Sequence, residues 1–369
     1  MKKIKFDEFV RLNRGFDLPD SQVIEGVYPV VASTNIKTYH NEYKIDPPVV
    51  VTGRSGSLGK VQYITEKCWP LNTSLYSKDF RGNYPLYVYY YLQLMHLEQY
   101  NAGAGVPTLN QNHLHGLKIL IHDRKEQEKV ADALYKYDLA IENNNKRIKI
   151  LEQMAENLYK EWFVRFRFPG HEDVEFEGGI PKGWEIKNLF DVANVKYGYA
   201  FASDEFCDDK TLYPVVRIRD IQNNKTNTYT AEECDRKYLI KENNILIGMD
   251  GIFHMCLWCG GDAYLNQRVV EIESKNANDM CNYLLYFSVY PQVKFLEQTI
   301  SGTTVAHLGD KHLKKMKVII PDSRTLGKAN GIVTDIMKKI CSLRKSNDNL
   351  IKQRDLLLPR LMSGKLEVK

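Results

Sequence analysis

The chain has 369 residues, more than one average domain needs, and its 43% hydrophobic and 26% charged content suits a soluble globular protein. A net charge of +5 permits a polyanionic partner without demanding one. The start M-K-K-I-K-F-D-E lacks a secretory apolar stretch and no apolar run is long enough to span a membrane, so a reducing cytoplasm and free thiols are expected.

In chain order, V-Y-P-V-V (27–31), P-P-V-V-V-T (47–52) and V-Q-Y-I-T (61–65) carry β-branched runs bounded by turn residues and predict strands. Between the last two lies V-T-G-R-S-G-S-L-G-K (51–60). Residues 84–100 predict an aromatic helix. After Asp123 a polar stretch runs without Gly or Pro as far as Pro169. Its central positions fall at Val130, Leu134, Tyr137, Ile141, Asn144, Ile148, Leu151, Ala155, Leu158 and Trp162, in steps of four and three that predict a long helix with a coiled-coil seam. A linker rich in Pro, Gly and charge (165–184) precedes a second set of elements. These are strands in N-I-L-I-G (244–248), R-V-V-E-I-E (268–273) and M-K-V-I-I-P (316–321), and an aromatic helix in 281–296.

The second set repeats the first. Residues 102–123 align without a gap on 301–322, eight of the 22 positions being identical, among them Gly103/Gly302, Val106/Val305, Leu109/Leu308 and Asp123/Asp322. Tyr28-Pro-Val-Val31 recurs as Tyr213-Pro-Val-Val216, Val50–Gly56 aligns with Ile245–Gly251, and Leu71-Asn72 with Leu265-Asn266. The heptad frame recurs at Ala329, Val333, Ile336, Ile340, Leu343, Asn347, Leu350, Arg354, Leu357 and Leu361.

An α+β fold follows: two tandem repeated domains joined by two long antiparallel helices in a coiled coil, with pseudo-two-fold symmetry. The expected division is residues 1–122, a first domain; 123–168, the first long helix and linker; 169–322, a second domain; and 323–369, the second long helix and tail. Each helix should be roughly 50 Å long. If their midpoints align, Asn144 faces Asn347, either as a polar layer that fixes register or as two tolerated, half-solvated seam residues.

Enzyme motifs fail on inspection. A phosphate loop needs Gly at position 54 and a hydroxyl at 61, where Arg54 and Val61 stand. The glycines kept in both copies, Gly53/Gly248 and Gly56/Gly251, suit a tight turn with positive φ. Asp46-Pro47-Pro48-Val49 lacks the aromatic that would stack on a flipped base, and Ala102-Gly-Ala-Gly105 precedes a strand rather than a helix, against a self-contained DNA methyltransferase or a fusion of that kind. Cys256-x-x-Cys259 has no second pair at zinc spacing, so no metal is expected.

Several segments together resemble the specificity subunits of type I restriction–modification systems: G-R-S-G-S-L-G-K-V (53–61), L-N-T-S-L-Y (71–76), the paired G-x-x-V-x-x-L segments (103–109, 302–308), W-F-V-R-F (162–166), I-P-K-G-W-E (180–185) and R-D-L-L-L-P-R-L-M-S-G-K-L (354–366). The first copy lacks an I-P-x-G-W segment, and the second has lost R-x-G-x-x-G-K. The resemblance implies two target-recognition domains that read a bipartite double-stranded DNA target, one half-site each. It implies a chain that is not an enzyme and directs two copies of a modification methyltransferase subunit, and restriction motor subunits where present, to that target. It holds no cofactor itself, S-adenosylmethionine, ATP and magnesium belonging to those partners. Half-sites about one duplex turn apart, roughly 34–36 Å, are within reach of readers on such helices.

Candidate DNA contacts follow from that reading. Arg54, Ser55, Ser57 and Lys60 lie on a glycine turn able to approach a backbone closely, where basic groups neutralise phosphate or reach guanine edges, unless the turn is simply solvated. Arg217 and Arg219 replace Ala32 and Ser33-Thr34 after the shared Y-P-V-V, at a tip that differs between copies. Gln111 and Asn112, with Thr303, Thr304 and His307 in the second copy, are similar candidates. Lys311 and Lys314 belong to a basic run suited to phosphate.

Overall fold

The computed structural model describes residues 1–103, 105–276, 280–300 and 306–368. They form two compact units, Met1–Asn144 with Ser346–Lys369, and Asn145–Lys345.

In the first unit, β1 (Lys2–Lys5), α1 (Phe6–Phe9), β2 (Arg11–Arg14), β3 (Tyr28–Val31), β4 (Ile36–His40), β5 (Val49–Gly53), β6 (Val61–Ile64), β7 (Trp69–Pro70), β8 (Ser74–Asp79), α2 (Pro85–Leu94), α3 (Gln111–His115) and β9 (Lys118–Ile121) lead into α4 (Arg124–Tyr159). A four-stranded sheet runs β2-β8-β5-β6, a three-stranded one β4-β3-β7, and β1 pairs with β9. Strand β5 is apolar without alternation because both its faces are covered. Val50 packs with Leu86, Tyr87 and Tyr90 of α2, and Val49 and Val51 face Val31 and Cys68 of the smaller sheet's side. Each fully buried valine contributes roughly 1.5–3 kcal/mol, so this strand anchors the domain.

The second unit contains β10 (Phe176–Glu177), β11 (Ile180–Pro181), β12 (Glu185–Asn188), α5 (Leu189–Val192), β13 (Ala193–Tyr197), β14 (Tyr213–Val216), α6 (Ile218–Ile221), β15 (Tyr229–Thr230), β16 (Leu239–Ile240), β17 (Ile245–Gly248), β18 (Met255–Leu257), β19 (Ala263–Leu265), β20 (Val269–Ser274), α7 (Asn282–Thr299), α8 (Asp310–Leu313) and β21 (Lys317–Ile320), then α9 (Ser323–Met362). Its sheets run β13-β20-β17-β18, β15-β14-β19-β16 and β12-β21. Apart from the added β16, each order matches its counterpart in the first unit, down to the parallel pairing of β3 with β7 and of β14 with β19. Burial parity is kept as well: Ile245 and Ile247 face α7, and Leu246 faces Val216 and Trp258.

Ladder register corrects one detail of the alignment. Gly53 pairs with Ser74 as Gly248 pairs with Val269, and Val31 with Pro70 as Val216 with Leu265. Leu265 is therefore the counterpart of Pro70, and Asn266 of Leu71, one residue away from the match suggested by the shared Leu-Asn. Another correction concerns residues 102–105, since the short helix α3 precedes strand β9.

Helix α4 has 36 residues and α9 has 40, about 54 and 60 Å of rise. Every expected seam position is buried or half-buried, Trp162 lying just past the end of α4. In the first unit Val130, Ala131 and Leu134 share a core with Leu358, Leu361 and Met362. There Arg354 meets Asp138 and Asn347 meets Asn144, so these two segments run in opposite directions. In the second unit Ile148 and Tyr159 join Ala329, Val333, Met337, Ile340 and Leu343, and Arg344 pairs with Glu152 at 2.8 Å. Each compact unit contains part of both helices, because their apolar stripes complete the two domain cores instead of forming a separate body.

Candidate nucleic-acid interface

In each unit the turn after the buried central strand is clamped to a later loop by the same backbone hydrogen bonds. Leu109 N–H donates to Arg54 O (2.8 Å) and Gly56 N–H to Pro107 O (2.9 Å); Leu308 N–H donates to Met249 O (2.8 Å) and Gly251 N–H to Ala306 O (3.0 Å). The turn is also held from below, by Arg54 N–H to Thr73 O (2.8 Å) and by Met249 N–H to Arg268 O (3.0 Å). Three segments distant in sequence therefore meet at one rigid tip. Backbone groups satisfied in this way leave the side chains to face a ligand.

The glycines shared by the two copies serve two purposes. Gly56 and Gly251 have φ of 83° and 70°, as the turn predicts. Gly53 and Gly248 do not have positive φ; they are needed for close approach, since a Cβ at Gly53 would lie 1.9 Å from Ser57 O and one at Gly248 2.9 Å from Ile218 Cγ2.

Arg54 and Ser55 are half-buried, and the Arg54 guanidinium donates to Asn72 O at 3.4 Å. Ser57 and Lys60 are exposed. Gln111 and Asn112 begin α3, where the Asn110 side chain accepts from Asn112 N–H at 3.0 Å, two residues past the clamp. The tip of the shared Y-P-V-V strand does differ between units. In the first it turns directly into β4, and Ser33 Oγ donates to Thr73 O (2.7 Å) and Ser55 O (3.2 Å). In the second it enters α6, whose Asp220 accepts from Arg217 N–H at 2.9 Å. The Arg217 guanidinium lies 5.0 Å over the Phe206 ring, its Nε buried without a hydrogen-bond partner, while the mostly exposed Arg219 donates to Thr228 Oγ1 at 3.2 Å. Lys311 is exposed; Lys314 is paired with Asp310 at 2.6 Å. That bond, together with one from the Tyr197 hydroxyl, holds the Asp310 carboxyl below its usual range. Thr303 and Thr304 lie outside the described residues.

His307 is not a free side chain. Its Nδ1 lies 2.6 Å from Asp250 Oδ1, and Asp250 Oδ2 lies 3.5 Å from Arg268 Nε. No sequence pattern marks Asp250 and Arg268, because only folding brings the three together. Asp46 is an exposed surface residue 3.7 Å from Lys67. Cys259 lies near Cys341 (Sγ–Sγ 2.8 Å) rather than pairing with Cys256. Among the described residues no group of three or more His, Cys, Asp or Glu is arranged to hold a metal, and no helix is long and apolar enough to cross a membrane.

The profile of the type I restriction modification DNA specificity domain matches residues 2–153 and 181–353. The MjaIX specificity subunit of Methanocaldococcus jannaschii is 28% identical over 305 residues, 76% of this chain and 69% of its own length. The EcoBI specificity subunit of Escherichia coli is 32% identical over 143 residues, 38% of this chain and 30% of its own length. The crystal structure of a type I restriction–modification S subunit from M. genitalium shares the fold, with a TM-score of 0.62 at 18% identity over 98% of this chain and 96% of that one. The chain belongs to the type I restriction–modification DNA specificity family. It is a DNA-recognising subunit and not an enzyme.

Proposed function

We propose that the chain reads a bipartite DNA target, one half-site per unit, and directs partner methyltransferase subunits to it. What carries this reading is the repetition of one clamped tip in both units on identical strand orders, with different side chains displayed. A constant frame with altered tips is what two dissimilar half-sites call for. The long helices act as an antiparallel coiled coil with pseudo-two-fold symmetry that fixes the spacer of unread bases. Repetition of the helical surface suits two copies of a modification subunit, joined by restriction motor subunits where the host has them. S-adenosylmethionine, ATP and magnesium belong to those partners, and the complex works in the cytoplasm. Arg54, Ser55, Ser57, Lys60, Gln111, Asn112, Arg217, Arg219, His307, Lys311 and Lys314 are the proposed contacts, with Thr303 and Thr304 beside them in sequence.

Mapping methylated adenines in cells with and without this chain tests the proposal. The expected result is a split motif with a fixed gap that disappears with the chain. Methylation unchanged by its removal would refute the reading.

A further inference from the structure

The three segments that meet at each tip contribute one side chain apiece at equivalent places. The shared backbone bonds match Ser55 with Asp250 and Thr73 with Arg268, and the paired bridges Ser55–Thr108 and Asp250–His307 match Thr108 with His307. The first unit thus displays three hydroxyls where the second displays an acid, a guanidinium and an imidazole. All three positions change in chemical class together on an otherwise constant frame.

We infer that these triplets are the specificity-determining positions of the two readers, and that Arg268, held by Asp250, reads a guanine in the half-site of the second unit. This deepens the DNA-recognition reading above and rests on it. The Arg268 side chain is 57% exposed, and it approaches Asp250 through Nε, at 3.5 Å. Both terminal nitrogens make no hydrogen bond among the described residues, and they are the pair that bonds guanine O6 and N7 in the major groove. Asp250 is less exposed, at 28%, and is fixed on its other oxygen by His307, so it acts as a positioning residue for the guanidinium. Charge favours a base over a phosphate. The Arg268–Asp250 pair has no net charge, and a carboxylate beside the guanidinium opposes the approach of a phosphate. In the first unit hydroxyls at Ser55, Thr73 and Thr108 donate or accept, so that half-site is read by different chemistry.

The test uses the full chain with its partner methyltransferase, comparing methylation motifs for wild type, R268Q, R268K and D250N, with the thermal midpoint of each measured as a check on folding. R268Q is expected to lower the preference for guanine at one position of one half-site by about tenfold or more, leaving the other half-site intact. R268K, which keeps the charge but loses the paired donors, is expected to lose the same preference, and D250N to weaken it. An unchanged motif in R268Q, or a uniform fall at all sites that R268K restores, overturns the assignment in favour of no contact or a phosphate contact. A wild-type chain that directs no methylation at all would overturn the underlying DNA-recognition reading instead.

Discussion

The Asn144 side-chain amide donates a 2.9 Å hydrogen bond to Asn347 Oδ1, and both residues are buried in the first unit. Either one changed alone to Leu leaves the other amide buried without this partner, at a cost of about 1–3 kcal/mol. The double change to Leu is expected to recover most of that loss while weakening the preference for one register. Urea unfolding of the two single variants and the double variant checks this. All three variants being as stable as the wild type would show that the bond contributes nothing.

Asp138 accepts from Arg354 (2.5 Å) and from the Tyr90 hydroxyl (2.5 Å), and the two charged side chains are only 19% and 21% exposed. Asp138→Ala removes the more buried of the two carboxylates on the Arg354 guanidinium, which keeps Asp355 at 2.8 Å, and takes the acceptor from the Tyr90 hydroxyl; it should cost about 1–3 kcal/mol, above the value of an exposed pair. Chemical denaturation measures it, with the exposed Lys37–Asp20 pair as the control expected to show little change.

His115 accepts from Leu12 N–H at Nε2 (3.1 Å) and stacks on Phe6. Burial lowers its pKa from the usual 6.5; nearby Asp7 opposes that shift, and Arg11 and Arg81 support it. A lowered folded pKa means that the unfolded chain takes up the proton first. This contribution to stability is complete above pH 6.5 and is lost as pH falls through the folded value. Unfolding midpoints from pH 7.5 downward should show a decline that His115→Gln flattens.

A Cβ at Gly15 would lie 2.2 Å from Leu71 O, and one at Gly198 2.0 Å from Asn266 O, the same approach in each unit. Alanine at either glycine should cost on the order of 2–3 kcal/mol, because the obstacle is backbone. Gly105→Ala, with nothing within 4 Å, should be near neutral. Thermal unfolding of the three variants separates them.

The hydrogen bond from Cys259 pulls the Cys341 thiol down, while burial pushes those of Cys68 and Cys256 up to about 12. Iodoacetamide at neutral pH should therefore label Cys341 ahead of Cys68 and Cys256, as read by peptide mass spectrometry.

Much of this was legible in the chain. A gapless alignment of 102–123 on 301–322 marks the duplication, and a four-three spacing locates α4 and α9 because their stripes are buried in domain cores. Register was harder to read: the chance Leu-Asn in both copies outweighed the true match, which only ladder bonds define. Arg268 and Asp250 are not legible in the sequence for a related reason. Each is an ordinary surface residue until strand pairing sets it beside the other, and no local pattern encodes that meeting.

The chain path through the compact units has a consequence for how such proteins diversify. Asn145–Lys345 is one uninterrupted stretch that takes with it its own parts of both helices and its whole core. Two genetic crossovers, one in the middle of each helix, would therefore transplant a complete reader between relatives while preserving the packing on either side of each joint. New targets can arise by exchange of intact parts, without passing through broken intermediates.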